Sequence, residues 1–524
     1  MVAMSMSTFV PFTGSWVTFI LLLSLLVVVL SLFIKRTKFL YSLRNVPSPV
    51  ALPLIGNAVQ LNCSLEEFFR KLLEWGKQFG DIYLLWVGPR PFVFVYRVED
   101  VQPLLSSSIH IDKSLEYSYL KPWLGYGLVT STGTHWQTLR KLLTPTFHNE
   151  LQQQYLKSVV RETTTLISSL KAEANNVFDV VPYAKRAALD IVCETTMGYH
   201  LNSQVNFEDD YVSSVEKMTS IIQMRFTNIW MANDTIFNLT SLGKEHDKAL
   251  KTIHNFVDNI ILKRQIQWKT NRDSNFNQPI NNKKALLDLL LDYAEKKNNV
   301  GLTDSDIRDQ VNTFIFAGHD TAAMSISWIL YALGRHPEYQ QKIIDEFEAI
   351  IGDNELTMDN LNKLAWLEAC IKETWRLYPV APLIARQIYN PIKLMNHNIP
   401  VGSTVLINLF MLHRDPRYFP NPEAYQPERF LSNTPKPPPF AYIPFSAGSR
   451  NCIGWKFATM VVKASILSIL RAYKIESVDS SDQLRLISSI VLINKYGIRI
   501  KISPRQNDST STVISESDIK TKED

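Results

Sequence analysis

Four cysteines in 524 residues are too few for a disulfide framework, and they suit a reducing compartment where a thiolate is free to bind metal. Glycine is scarce as well, with 18 residues, which excludes a collagen-like fibre and disfavours a glycine-rich barrel or linker array. Neither sign of charge dominates: 55 Lys and Arg against 50 Asp and Glu leave +5. Apart from one basic cluster near residue 36 there is no concentrated basic stripe, so no nucleic-acid partner is expected. No G-x-G-x-x-G follows a strand, so no dinucleotide or flavin domain is encoded. Disorder of the whole chain is excluded by 46% hydrophobic and 11% aromatic residues. Internal repeats are absent.

One long apolar run is present. Trp16–Ile34 holds sixteen apolar residues in nineteen and no charge. As a helix it is about 28 Å long, enough to cross a bilayer core. It is too long for the apolar core of a cleaved signal peptide, and no small-residue cleavage site follows. Lys35, Arg36, Lys38 and Arg44 come directly after it, while residues 1–15 are uncharged, so the positive-inside rule puts the C-terminal bulk in the cytoplasm. Three parts follow: residues 1–44 as membrane anchor (spanning about 16–34), residues 45–504 as one large body, and residues 505–524 as a polar, disordered tail.

The body reads as mostly helical with a small β component. Pro47, Pro49 and Pro53 make a stiff extended segment. Leu65–Gly80 has helical periodicity, and Asp81–Val87 with Pro91–Arg97 alternate around Gly88-Pro89 as a hairpin. Lys269–Lys284 reads as a polar loop. A long helix is expected over Asp304–Arg335, capped by Thr303 and ended at His336-Pro337. Short strands are expected after Leu377.

The chemistry concentrates in PFSAGSRNCIGWKFA, where Phe445, Gly448, Arg450, Cys452 and Gly454 stand as F-x-x-G-x-R-x-C-x-G. An iron-ligating thiolate needs backbone N–H donors and a tight turn around it. Gly448 and Gly454 permit the turn and a close approach to a flat cofactor, and Phe445 can shield the sulfur. Arg450 can pair with an anionic cofactor edge. Helix formers follow Cys452 and place its sulfur near a helix N-terminus. A lone cysteine is ordinarily a small core residue. Five typed positions within ten residues outweigh that reading here.

On these residues the chain resembles the cytochrome P-450 superfamily of haem-thiolate monooxygenases. The resemblance implies a mainly α fold with small β-sheets and b-type haem between the long distal helix and the cysteine loop. Cys452 would be the proximal iron ligand, its thiolate favouring O–O cleavage. In FIFAGHDTA, Ala317, Gly318, Asp320 and Thr321 match the superfamily's helix pattern. Ala317 and Thr321 share one face. Asp320 and Thr321 are the candidate proton relay to bound dioxygen. His319 has no metal-ligand partner at helical spacing and reads as a packing residue. Glu373 and Arg376 of ETWR, with Arg429 of PERF, match a structural ion network that supports the cysteine loop. Trp136 and Arg140, one turn apart, together with Arg386, match partners of the haem propionates.

GTHWQTLRKLLTPTFH, VNTFIFAGHDTA and IPFSAGSRNCIG are similar to family 4, the fatty-acid ω-hydroxylase type. Ala317 stands where that family usually has a Glu able to form an ester to haem, so non-covalent haem b is expected. Ala322 replaces a usual second Thr. Substrate contacts are expected in Tyr117–Leu128, on the Phe314–Thr321 face and at Val380–Ile384. The implied partners are membrane lipid, a lipophilic small-molecule substrate, NADPH–cytochrome P-450 reductase and, as an assisting donor, cytochrome b5. Lys141 and Lys456 are candidates to meet an acidic donor. The implied setting is the endoplasmic reticulum, single-pass, with Asn62, Asn233 and Asn238 unglycosylated on a cytoplasmic body. Two other classes were weighed. A haem-thiolate isomerase or dehydratase would need neither O₂ nor NADPH, and Asp320 and Thr321 argue against it. A haem sensor or electron carrier is disfavoured by the apolar distal helix.

Overall fold

The computed structural model describes residues 13–147, 149–206, 209–274, 285–295 and 302–505. The apolar run lies in a helix, Thr13–Leu43, of 31 residues. Among the described residues it is the one helix long and apolar enough to cross a membrane, and its apolar window is wholly unburied. It does not stop at the basic residues after Ile34. Arg36, Phe39 and Leu43 fall on one face and find partners in the body. Arg36 donates from Nη1 to the Pro89 carbonyl at 3.0 Å and lies over the Trp86 ring at 5.2 Å. Phe39 meets the same ring edge-on at 6.2 Å, and Leu43 is 1% exposed. Residues that look like a hydrophilic flank are therefore the joint between anchor and body.

Pro47–Val50 runs extended, and the Pro47 carbonyl accepts the Leu84 N–H at 2.8 Å. Leu65–Phe79 is helical, begun by Ser64, whose side chain accepts the Glu67 N–H. Strands Ile82–Val87 and Arg90–Val95 form the hairpin with Ile82 opposite Val95. Arg90–Val95 then pairs in parallel with Thr404–Asn408, which pairs antiparallel with Leu383–Gln387. This four-stranded sheet joins residues some 300 positions apart. A second sheet, Val177–Asp179, Arg499–Pro504 and Tyr473–Ser477, is antiparallel throughout.

The long helix Asp304–Arg335 is the central element. Thr303 and Asp306 form a reciprocal capping box at its start, and it ends at His336 ahead of Pro337. From Ile307 to Gly334 nearly every side chain is buried, because the helix is covered on several sides. Val181–Met197 packs along it, and Ser241–Ser274, Ala365–Leu377 and Trp455–Ala472 close the remainder. The polar stretch expected as a loop over Lys269–Lys284 is helical up to Ser274, since Ser241–Ser274 is one continuous helix. Residues 275–284 lie outside the described residues, as does the tail from 506 to 524.

Candidate active site

Cys452 sits in the loop before the helix Trp455–Ala472, whose first turn is entered through Gly454. Its N–H donates to the Phe445 carbonyl at 2.9 Å, which closes the loop on itself. Gly448 has φ +72°, and a Cβ there would lie 1.9 Å from the Leu105 carbonyl oxygen, so the turn tolerates no side chain. Gly454 differs from expectation: its φ is −92°, and an added Cβ would meet only Phe147 at an ordinary 3.7 Å. No protein atom demands glycine there, and the room it leaves belongs to the cavity.

That cavity has about 1550 Å³ of empty volume, its mouth included. It is bounded by Cys452, Phe445 and Gly454 of the cysteine loop and by Ala317, Gly318 and Thr321 of the long helix. Leu128 and Val129, Phe314, and Val380, Ala381 and Ile384 also line it, so the three expected substrate segments meet at one cavity. Trp136, Arg140 and Arg450 form a polar rim together with Lys113. Cys452 and Lys113 are ringed by protein on all sides, yet both present surface to this space.

The rim is cationic. Arg450 donates from Nη2 to the Ser131 carbonyl at 3.0 Å and lies over the Trp136 ring at 4.5 Å, but its Nε and Nη1 are buried without a partner. Arg386, an expected propionate partner, is 3% exposed and is not among the lining residues; it stands behind Arg450, and its Nη1 donates to the Ala385 carbonyl at 3.0 Å. Burial and the neighbouring Arg386 guanidinium hold Arg450 down at about 10, opposed by Asp112 and Tyr117. Burial, then Arg450 and Arg386, push the Lys113 amine well below its ordinary value. No carboxylate is among the residues bounding the cavity. A buried guanidinium with two orphaned donors, with Lys113 and Arg140 beside it on the rim, calls for a bound anion. Two propionates beside a porphyrin meet that demand, and an accessible thiol facing small residues of the long helix fits the rest of the group. Burial raises the Cys452 thiol, while the Gly454 N–H, Arg140 and Lys113 lower it.

Arg140 is placed differently from Arg450. Its Nη1 and Nη2 donate to the carbonyl and Oδ1 of Asn451, each at 2.7 Å. It grips the residue before the cysteine as well as facing the rim. Gly318 lines the cavity, but a Cβ there would lie 2.8 Å from Val192 Cγ2, so its smallness admits the neighbouring helix Val181–Met197.

The expected relay pair is split. Thr321 donates from Oγ1 to the Ala317 carbonyl at 2.7 Å and lines the cavity. Asp320, 2% exposed, is not among the lining residues and pairs with Lys185 at 3.2 Å. Lys185 also pairs with Glu216 at 2.7 Å, whose side chain is half exposed. Asp320 and Glu216 raise the Lys185 amine against the effect of its burial. His319 is fully buried, with Nδ1 2.9 Å from the Ile315 carbonyl, and packs as expected.

Beneath the cysteine loop, Glu373 holds Arg376 through two bonds of 2.7 and 2.8 Å, both side chains being 0% exposed. Arg429 Nε stands 3.6 Å from Glu373 Oε1. Arg376 also donates to the carbonyls of His413, Pro422 and Ala424. His413 Nε2 accepts the Ile443 N–H at 3.0 Å, which ties the ion network to the segment entering the loop. Burial, then Arg376 and Arg414, lowers the His413 imidazole to about 3, as its acceptor role requires. Lys113, Lys185, Glu216 and His413 were not legible in the sequence: each acts through a partner distant in the chain, at no local spacing.

A mainly helical enzyme with a cavity-facing cysteine, a small-residue helix opposite and a cationic rim holding an unsatisfied Arg450 is of the haem-thiolate class. The chain belongs to the cytochrome P450 family, whose model matches residues 46–502. It is 40% identical to cytochrome P450 4c3 of Drosophila melanogaster over 509 residues, 93% of this chain and 95% of the relative. It is 40% identical to cytochrome P450 4V2 of Homo sapiens (89% and 91% covered) and 38% to that of Mus musculus (93% and 94%). It is therefore a haem monooxygenase related to family 4, with an N-terminal helix that fits a membrane anchor.

Proposed function

We propose that this monooxygenase hydroxylates a lipophilic substrate, a fatty acid, another lipid or a xenobiotic. Its electrons come from NADPH through NADPH–cytochrome P-450 reductase, with cytochrome b5 as a second donor. The observation that carries the reading is the cavity itself: an accessible Cys452, largely apolar walls, and a cationic rim where Arg450 has orphaned donors. When bound, haem b supplies the redox chemistry that cleaves dioxygen and inserts one atom into a C–H bond. Cys452 holds the iron through its sulfur, and Phe445 keeps water from that sulfur while packing edge-on against Trp375 at 5.0 Å. Arg450, Lys113 and Trp136 bind the propionates, with Arg386 behind Arg450. Arg140 locks the loop through Asn451. Ala317 carries no carboxylate, so the haem is held without a covalent ester to this helix.

Thr321 holds a hydroxyl proton at the cavity wall. The Asp320–Lys185–Glu216 chain reaches from its neighbour to solvent and supplies the path by which that proton is replaced. Glu373, Arg376, Arg429 and His413 fix the segment that leads into the cysteine loop. The anchor helix keeps the body at the endoplasmic-reticulum membrane, on its cytoplasmic side, within reach of membrane-bound donors. The test is direct. Wild-type protein with haem should give the thiolate-type spectrum of the reduced carbon-monoxide complex, and Cys452→Ala should lose it. A panel of fatty acids, hydrocarbons and xenobiotics should give hydroxylated products only with NADPH and reductase. Product without NADPH would overturn the reading.

A further inference from the structure

We propose that Trp375 is a positioning residue that sets the reduction potential of the bound iron: its indole, tied to the long helix, holds the Phe445 ring in place and so keeps water from the Cys452 sulfur. The inference goes beyond the choice of substrate and holds whichever lipophilic molecule is oxidised.

Trp375 lies on the helix Ala365–Leu377 and is 5% exposed. Its ring meets Phe445 edge-on, with centroids 5.0 Å apart and planes at 82°. Its N–H donates to the Ser325 hydroxyl on the long helix, so the indole cannot turn away without losing that partner. The backbone around Phe445 is held independently. The Cys452 N–H donates to the Phe445 carbonyl, the Ile443 N–H to His413, and the Tyr442 hydroxyl to the Lys372 carbonyl at 2.9 Å. Trp375 therefore governs the ring of Phe445 and not the course of the loop.

What the two rings separate gives them a function. A second cavity, of about 830 Å³ with its mouth included, lies on the other side of the cysteine loop. Trp375, Pro444, Phe445, Ser446 and Asn451 line both cavities and form the wall between them, while Cys452 lines the first alone. The second cavity is charged: Glu368 on its lining pairs with Lys372 and, at 2.7 Å, with Lys463. Trp455, 44% exposed, also lines it, so it opens to solvent. Polar spaces of this size hold water. A water that crosses the wall can donate to the thiolate, draw charge from the iron and favour the ferrous form, which carries the extra electron. Excluding it keeps the potential low.

The test is a spectroelectrochemical titration of the haem-loaded full chain, with haem content and unfolding temperature alongside. Trp375→Leu should keep its haem and raise the ferrous-to-ferric ratio at a fixed electrode potential by roughly tenfold, the weight of one water hydrogen bond to a charged sulfur. Phe445→Ala should raise it at least as far, and the double variant no further than Phe445→Ala, because both substitutions act through one ring. Ser325→Ala removes only the acceptor and should shift the ratio the same way by a smaller factor. An unchanged ratio in haem-loaded Trp375→Leu overturns the proposal; a lowered unfolding temperature with no shift would show a packing role alone. Additive shifts in the double variant overturn action through Phe445. If Trp375→Leu holds no haem, Ser325→Ala decides, and an unmoved ratio there overturns the proposal. If the shift appears but no substrate is hydroxylated with NADPH and reductase, only the substrate reading falls.

Discussion

At Glu373 the arithmetic of a single side chain is severe. The Glu373–Arg376 pair is fully buried, and removing one partner of such a pair costs about 3–5 kcal/mol. Glu373→Ala leaves Arg376 on three carbonyls beside Arg429, and the segment held through His413 loses its footing. The variant should contain little haem per protein and unfold at markedly lower temperature; normal haem content would refute the supporting role. Thr321→Ala should do the opposite, keeping haem content while diverting electrons to peroxide, measured as peroxide formed per NADPH consumed. Unchanged coupling would remove Thr321 from proton delivery. Glu162 offers a pH test far from the iron site. Burial, then the Glu194 carboxyl and Asp190, raise its pKa from 4.5 to about 7, while Arg161 opposes. An acid raised on folding binds more protons in the native state, so it subtracts stability as pH climbs from 4.5 to 7. Glu194 is shifted downward and acts below that window. Relative to wild type, Glu162→Gln should therefore lose less thermal stability across it, with equal slopes counting against the assignment.

Single elements show what a linear reading can and cannot carry. The long helix was legible from end to end because its boundary signals are local: Thr303 with Asp306 at one end, His336-Pro337 at the other. Thr303→Ala removes a side-chain acceptor for the Asp306 N–H and should cost about 1 kcal/mol in denaturant unfolding. The hairpin was legible for the same reason. The anchor helix outruns the apolar span because Arg36 and Phe39, which follow its last apolar run, find partners in Trp86 and Pro89 that lie far along the chain. The helix Ser241–Ser274 overran an expected loop, since polar residues alone do not end a helix without a breaker. The parallel pairing of Phe92 with Thr404 has no sequence signal. At the site, spacing found Cys452 and its loop, whereas the relay was only half legible. Asp320 is turned from the cavity by Lys185, a partner from a distant helix that no local spacing reveals.

For the molecule as a whole, orientation is the testable matter. Asn62, Asn233 and Asn238 are all exposed, so nothing steric protects them from a glycosyltransferase. On a cytoplasmic body they should stay bare in microsomes, with no mobility shift on glycosidase treatment; a shift would invert the topology. Lys141 is exposed, and Lys456 lies against the Trp455 ring.

The seam at Arg36, Phe39 and Leu43 has a mechanical corollary. A span that enters the protein without a swivel transmits torque, so the body cannot yaw about its stalk as a tethered one would. A bilayer crossed by that span would then act as a jig, setting the tilt of the body and of its cavity against the membrane plane.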